Sequence, residues 1–154
     1  MQIELREVSE SDLELIFAWR SNPEVVKYLP SRPETFTWEH HWDWWNGRKN
    51  RLDWLIQLDD GMTRPRYIGV AHIANMQAVP EVGLYIGEQG LWGRGTGFAV
   101  LNLLIENATL YNYLRLLAHI HKKNKVSLHM YEKAGFIRVG EGRNGQWLYE
   151  KRLR

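Results

Sequence analysis

The chain has 154 residues, 44% of them apolar and 25% charged, with a formal net charge of +2 and a pI near 8.9. That length fits one domain with its own core, expected to run over residues 1–154. There is no cysteine, which excludes disulfides, thiolate nucleophiles and cysteine-ligated zinc. The mild charge gives no ground for a nucleic-acid partner, and no apolar stretch approaches the roughly 20 residues of a membrane span. Met1 to Glu7 has no signal-peptide pattern, so a cytoplasmic protein is expected.

Ile3, Leu5 and Val8 suggest a first strand. Ser9 and Ser11 can cap a following helix, in which Leu13, Ile16, Phe17 and Arg20 recur near helical period. Asn22-Pro23 breaks it, and Pro23 opens a short helix through Tyr28. Pro30 and Pro33 mark a loop. Thr37 is placed to cap a polar-aromatic helix reaching Asn46 and ending near Gly47. Residues 54–58 read as a strand closed by Asp59-Asp60-Gly61, and residues 67–73 and 81–86 as two more. Val100, Leu101, Leu104, Ile105 and Ala108 share one side of a helix that begins after Gly97. Residues 115–121 form the next strand and residues 126–134 a short helix stopped by Gly135. Residues 136–139 and 147–153 pair across a turn at Arg143-Asn144-Gly145. The expected fold is α/β: a mixed sheet of six to seven strands with flanking helices. Its centre is a strand–glycine loop–helix–strand unit over residues 81–121, which implies a parallel βαβ pair.

The glycine loop, Gly90-Leu91-Trp92-Gly93-Arg94-Gly95-Thr96-Gly97-Phe98, is the densest chemical signal. A Walker loop would need Lys-Ser/Thr after its last glycine, and Gly95 is followed by Thr96-Gly97. A dinucleotide loop would need Gly-x-Gly-x-x-Gly near the first strand and an acidic residue about 20 positions later. What fits is a pyrophosphate held without metal. Backbone N–H groups freed by glycine turn toward one anion at a helix start, with Arg94 adding a charge.

Residues Trp92 to Gly97 resemble the acetyl-CoA pyrophosphate loop of the GCN5-related N-acetyltransferase (GNAT) superfamily. Asn124-Lys125-Val126-Ser127-Leu128-His129-Met130-Tyr131-Glu132-Lys133-Ala134-Gly135-Phe136 resembles that family's second signature, about 30 residues on. The resemblance covers residues 3–153. Trp92 departs from the general Gln or Arg and is similar to the branch that contains ribosomal-protein N-terminal acetyltransferases. The resemblance implies a GNAT-like fold, acetyl-CoA as donor and a primary amine as acceptor. It implies Tyr131 beside the thioester sulfur as acid to the departing thiolate. It also places backbone groups of Tyr85, Ile86 and Gly87 along the pantetheine arm, with Asn124 near that arm and Ser127 and Lys133 at the cofactor. Glu81, opening the strand before the loop, is the favoured general base; Glu88, His72 and His119 are its rivals.

Five of the eight tryptophans fall between Trp38 and Trp54. In Trp38-Glu39-His40-His41-Trp42-Asp43-Trp44-Trp45, the imidazoles and carboxylate lack metal-ligand spacing, so no metal is expected. The mixed charges also speak against a nucleic-acid platform. Packing of Trp on the buried side of an amphipathic helix is the simplest expectation. Trp19-Arg20 through Val25, with residues 39–42, is also similar to acetyltransferases acting on amino groups of nucleotide-linked sugars. That likeness marks Trp19, Arg20, His40 and Trp42 as candidate acceptor-pocket residues. The acceptor is expected to be an amino-sugar or other small amine ahead of a protein N-terminus, since an aromatic wall suits a compact ligand. A non-catalytic CoA-binding sensor is the alternative of another class, and a monomer or homodimer is expected.

Overall fold

The computed structural model describes residues 1–29 and 33–154; Pro30 of the expected loop lies outside them. The chain runs β1 (Gln2–Glu7), α1 (Leu13–Arg20), α2 (Pro23–Val26), α3 (Trp38–Gly47), β2 (Leu52–Asp59), β3 (Arg66–Ala74), β4 (Glu81–Ile86), α4 (Thr96–Leu110), β5 (Arg115–His121), α5 (Lys125–Lys133), β6 (Ile137–Glu141) and β7 (Gln146–Arg152). The strands form one seven-stranded sheet in the order β1-β2-β3-β4-β5-β7-β6. All neighbours are antiparallel except β4 and β5, the pair bridged by α4.

The sheet has two dressed faces. Val82 and Ile86 of β4 and Leu116, Ala118 and Ile120 of β5 point toward α4, where Val100, Leu101, Leu104 and Ala108 meet them. That is the helical period read from the sequence, and α5 adds Leu128 and Tyr131. On the opposite face Ile16 of α1 packs with Val8, Leu55 and Val70, joined at the edge by Trp19, Trp45, Tyr67 and Tyr85. Strand alternation therefore turns Glu81, Gly83 and Tyr85 toward α1 and their neighbours toward α4.

β3 carries a bulge. Ile56 faces Gly69 and Gln57 faces Tyr67, so Ile68 has no partner of its own in β2. The freed Ile68 carbonyl accepts from Gly87 (2.7 Å) and Glu88 (3.3 Å), which ends β4. The backbone at the bulge is close: a Cβ on Gly69 would overlap the Tyr85 carbonyl oxygen and stand 2.9 Å from the Ile86 Cα.

The helix of tryptophans follows the expectation only at its C-terminal end, where Trp45 packs at the edge of the α1-face cluster. Trp38 and Trp42 are 41% and 36% exposed, while His41 between them is fully buried. The reason is hydrogen bonding between α1 and α3. His41 Nε2 donates to the Leu13 carbonyl (2.8 Å), and Nδ1 accepts from Arg20 (3.1 Å). The Arg20 guanidinium lies over Phe36 (4.7 Å) and Trp44 (5.0 Å), so the charge is sheathed by rings. A buried polar group with all its bonds made outcompetes a tryptophan for the interior of this contact. At the far end of α3, Arg48 and Arg51 converge on buried Asp53 in β2, at 2.9 and 2.7 Å.

The bulge gives a direct expectation. Gly69→Ala forces a methyl against backbone on a strand fixed from both sides, and should destabilise the fold by about 2–3 kcal/mol. Urea unfolding should show a lower midpoint at unchanged slope.

Candidate active site

β4 and β5 separate almost as soon as they meet. Their one register pair is Glu81 with Leu117, supported by the Leu117 N–H donating to the Pro80 carbonyl at 2.9 Å. Successive residues of a strand present backbone groups to opposite sides. Gly87 donates to β3 and Pro80 accepts from β5, so the even-numbered residues of β4 face the opening. The Ile86 carbonyl is taken by the Trp92 indole N–H (2.8 Å), which props the mouth of the opening. The backbone of Leu84 and the Ile86 N–H remain turned toward a strand that has moved away. Of the three residues expected along the donor arm, Ile86 has this orientation, whereas Gly87 has its N–H committed to Ile68.

At the mouth stands the glycine loop. Gly93 and Gly95 have φ of +76° and +82°, a left-handed backbone that side chains disfavour. Gly95 is the N-cap of α4, and no side chain caps the helix; no acidic residue sits in its first turn. The N–H groups of Thr96, Gly97 and Phe98 are thus presented outward with the positive end of a 15-residue helix behind them. Gly97 brings this turn against α5: a Cβ there would lie 3.0 Å from the Met130 sulfur and 3.7 Å from Leu84. Lys133 Nζ sits 4.5 Å from the centre of the Phe98 ring, holding an ammonium beside the first turn. Arg94 is exposed on the loop itself.

α5 is set by Asn124, whose side-chain oxygen caps it by accepting from the Ser127 N–H (3.2 Å). Asn124 and Ser127 thus first serve the helix. One residue beyond Met130, Tyr131 is 5% exposed, edge-on to Phe136 at 5.1 Å. Burial alone raises its pKa above the ordinary phenol value, so the hydroxyl keeps its proton.

The other side of the opening is the α1 face. Trp19 covers Gly87 so closely that a Cβ there would collide with the indole ring, and it meets Tyr85 edge-on at 6.4 Å. Tyr28 lies 5.2 Å from His121 at the end of β5. Glu81, at the foot of the opening, has both oxygens engaged: Arg143 at 2.9 Å and His119 at 3.4 Å. Its rival Glu88 is fixed by Arg66 through both oxygens at 2.7 Å. Three buried polar atoms lack a partner among the described residues: Tyr85 Oη, Thr96 Oγ1 and His119 Nδ1. They belong to β4, to the first residue of α4 and to β5, the elements that border the opening. The free edge of β4 and the α4 N-terminus could take an extended ligand with an anionic end.

The match to known proteins agrees with this geometry. Residues 2–137 match the family described as acetyltransferase (GNAT) domain. This chain belongs to the GNAT acetyltransferase family. Over 153 residues the chain is 35% identical to an uncharacterised protein of Methanocaldococcus jannaschii, covering 99% of this chain and 31% of that protein's length. A crystallised domain from the same organism superposes with a TM-score of 0.93 at 35% identity, over 98% of each chain. Spermidine N-acetyltransferase from Vibrio cholerae, solved with CoA and spermine, superposes with a TM-score of 0.79 at 17% identity, over 97% of this chain and 93% of that one.

Around the opening stand the loop, Trp92, Lys133 and Glu81, with α5 and its Tyr131 packed beside them and Trp19 on the far face. Three candidates named with Trp19 do other work. His40 closes the N-terminus of α3, its Nδ1 accepting from the Thr37 N–H at 3.1 Å. Arg20 is held by His41 and the rings around it. Trp42 lies outside, lining with Trp38, Glu39 and Asp43 a shallow hollow of about 340 Å³. Among the described residues no group of His, Asp or Glu gathers as a metal site, and no helix is long and apolar enough to cross a membrane. Sequence reading missed the brace from Trp92 to Ile86 and the meaning of Gly83, over which His72 of β3 lies. Glycines at alternate positions of one strand face, 83 and 87, were the available signal.

Burial holds His41 and His72 neutral, His72 with its pKa pushed down to about 4. Both folded values lie below the unfolded value near 6.5. The unfolded chain therefore binds protons that the fold refuses, and stability present above pH 6.5 is lost as pH falls toward 4. Urea midpoints should drop across that window, and the drop should be smaller in His72→Gln; an equal drop in both proteins would contradict this source of acid lability.

Proposed function

We propose that the chain transfers the acetyl group of acetyl-CoA to a primary amine of a small molecule, an amino-sugar being the favoured class, by direct attack on the thioester. The observation that carries the reading is the divergence of β4 from β5 beside an uncapped helix N-terminus. The first-turn amides of α4 bind the pyrophosphate, with Lys133 and Arg94 adding charge. The backbone of Leu84 and the Ile86 N–H then pair with the amide-bearing arm as an added strand. This lays the thioester deep in the opening, between α5 and the α1 face.

The acceptor approaches from the α1 face, past Trp19 and Tyr28. It must arrive neutral. An amine with a pKa of about 10.4 costs roughly 4.6 kcal/mol to deprotonate at pH 7, and one near 8 about 1.4 kcal/mol. At the sulfur, Tyr131 faces a thiol of pKa about 8.5 with a phenol of about 10, already an uphill proton transfer of roughly 2 kcal/mol. Burial raises the phenol further. Tyr131 therefore stabilises the developing thiolate chiefly by donating a hydrogen bond, and the sulfur takes its proton as the product leaves.

The aromatic rings of Trp19, Tyr28 and Tyr85 support a compact acceptor. The spermine complex of the Vibrio cholerae enzyme adds support from a protein of the same fold. Trp92, the residue that resembles the ribosomal-protein branch, has a job here in bracing Ile86, so it does not argue for a protein N-terminus.

Thiol release from acetyl-CoA across amino-sugars, polyamines and N-terminal peptides tests the reading. Turnover on an amino-sugar or another small amine is expected; turnover on peptides alone would overturn the acceptor class. Tight CoA binding without turnover on any amine would leave a sensor. Tyr131→Phe should lower kcat by about 10²-fold, the usual loss for a transition-state donor, with acetyl-CoA affinity within about twofold. An unchanged kcat would remove Tyr131 from the chemistry.

A further inference from the structure

A glycine in the middle of a strand is unfavourable unless something needs the space. In β4 that residue is Gly83, and its occupant is His72. A Cβ on Gly83 would stand 2.5 Å from Cε1 and 2.8 Å from Nε2 of the imidazole. His72 is Gly83's partner in β3, so its ring reaches across the ladder onto β4. This is the α1 face, between Glu81 at the foot of the opening and Tyr85 near its mouth.

The surroundings leave the ring free to do chemistry. Arg51 just before β2, Asp53 of β2 and Glu81 of β4 face it. Asp53 is already held by Arg48 and Arg51, and Glu81 by Arg143 and His119. Among the described residues no group hydrogen-bonds to either ring nitrogen, and the residue is half-buried. The cation of Arg51 and the burial both favour the neutral ring. The fold thus keeps an unbonded neutral imidazole over a glycine, on the face from which the acceptor comes.

We propose that His72 receives the proton of the acceptor amine during acetyl transfer. This rests on the acetyltransferase reading above. The amine lone pair forms the bond to the acetyl carbon, and the carbon–sulfur bond breaks with its electron pair going to sulfur. One proton leaves the amine nitrogen for the unprotonated ring nitrogen of His72 and passes to water; sulfur takes one proton, giving amide and free thiol. As the nitrogen–carbon bond forms, the nitrogen becomes far more acidic than a free ammonium. A base as weak as this imidazole then suffices.

The experiment is thiol release with an amine the wild-type chain accepts, comparing His72→Ala, His72→Gln and Glu81→Gln from pH 6 to 9. Loss of a positioned base should lower kcat about 10²-fold in His72→Ala, with the KM for acetyl-CoA within about twofold. At saturating amine, kcat of both His72 variants should climb about tenfold per pH unit where the wild type is flat, because hydroxide replaces the base. Added imidazole should recover part of the activity of His72→Ala. A kcat within about threefold of wild type overturns the proposal. So does a low kcat with the wild-type pH profile and no rescue by imidazole, which marks a packing role. So does the steep profile appearing in Glu81→Gln and not in the His72 variants. No turnover by the wild type on any amine, despite CoA binding, would instead remove the acetyl-transfer reading on which this one stands.

Discussion

Two parallel strands that pair at one point and then part are the constraint on which the rest depends. A regular parallel ladder would join β4 and β5 along their length and leave no edge inside the sheet. Here Glu81 and Leu117 hold the foot, and α4 spans the widening gap behind. The exposed backbone of β4 is a liability in an ordinary sheet. In this one the proposed ligand completes the ladder, and the elements that border the gap carry the buried atoms of Tyr85, Thr96 and His119 that have no partner among the described residues. The bulge at Ile68 contributes from the other side: its carbonyl stops β4 at Gly87 and hands the chain to the glycine loop.

The two faces of the sheet divide the labour. Behind the opening, Gly97 against Met130 and Phe98 against Lys133 pack the first turn of α4 onto α5, the helix that carries Tyr131. In front, α1 lays Trp19 on Gly87 and is itself fixed to α3 through buried His41 and ring-sheathed Arg20. The tryptophans of α3 owe their number to this bracing: Trp44 and Trp45 stack on Arg20, Arg48 and Arg51. The aromatic rings that border the opening, Trp19, Tyr28 and Tyr85, come from α1, the segment after α2 and β4.

Much of this was legible in the sequence. Strands and helices fell where periodicity and caps put them, to within a residue or two for most elements, because each apolar face is regular. The Pro23 helix is the main exception, ending at Val26 short of Tyr28. The loop was legible because left-handed Gly93 and Gly95 have few substitutes. What escaped depends on contacts between distant segments. Burial of His41 in place of its tryptophan neighbours follows from a carbonyl on α1 that periodicity cannot see. Crowding at Gly69 and Gly83 follows from register across β3 and β4. Engagement of Glu81 by Arg143 needs the β6–β7 hairpin folded back toward the foot of the opening.

The proposed seat of the donor is the opening between β4 and β5. Amide hydrogen exchange with and without acetyl-CoA measures that directly. Slowed exchange is expected at the amides of Leu84 and Ile86, together with Thr96, Gly97 and Phe98. Binding with no protection at Leu84 and Ile86, or with protection confined to the tryptophan helix α3, would contradict it.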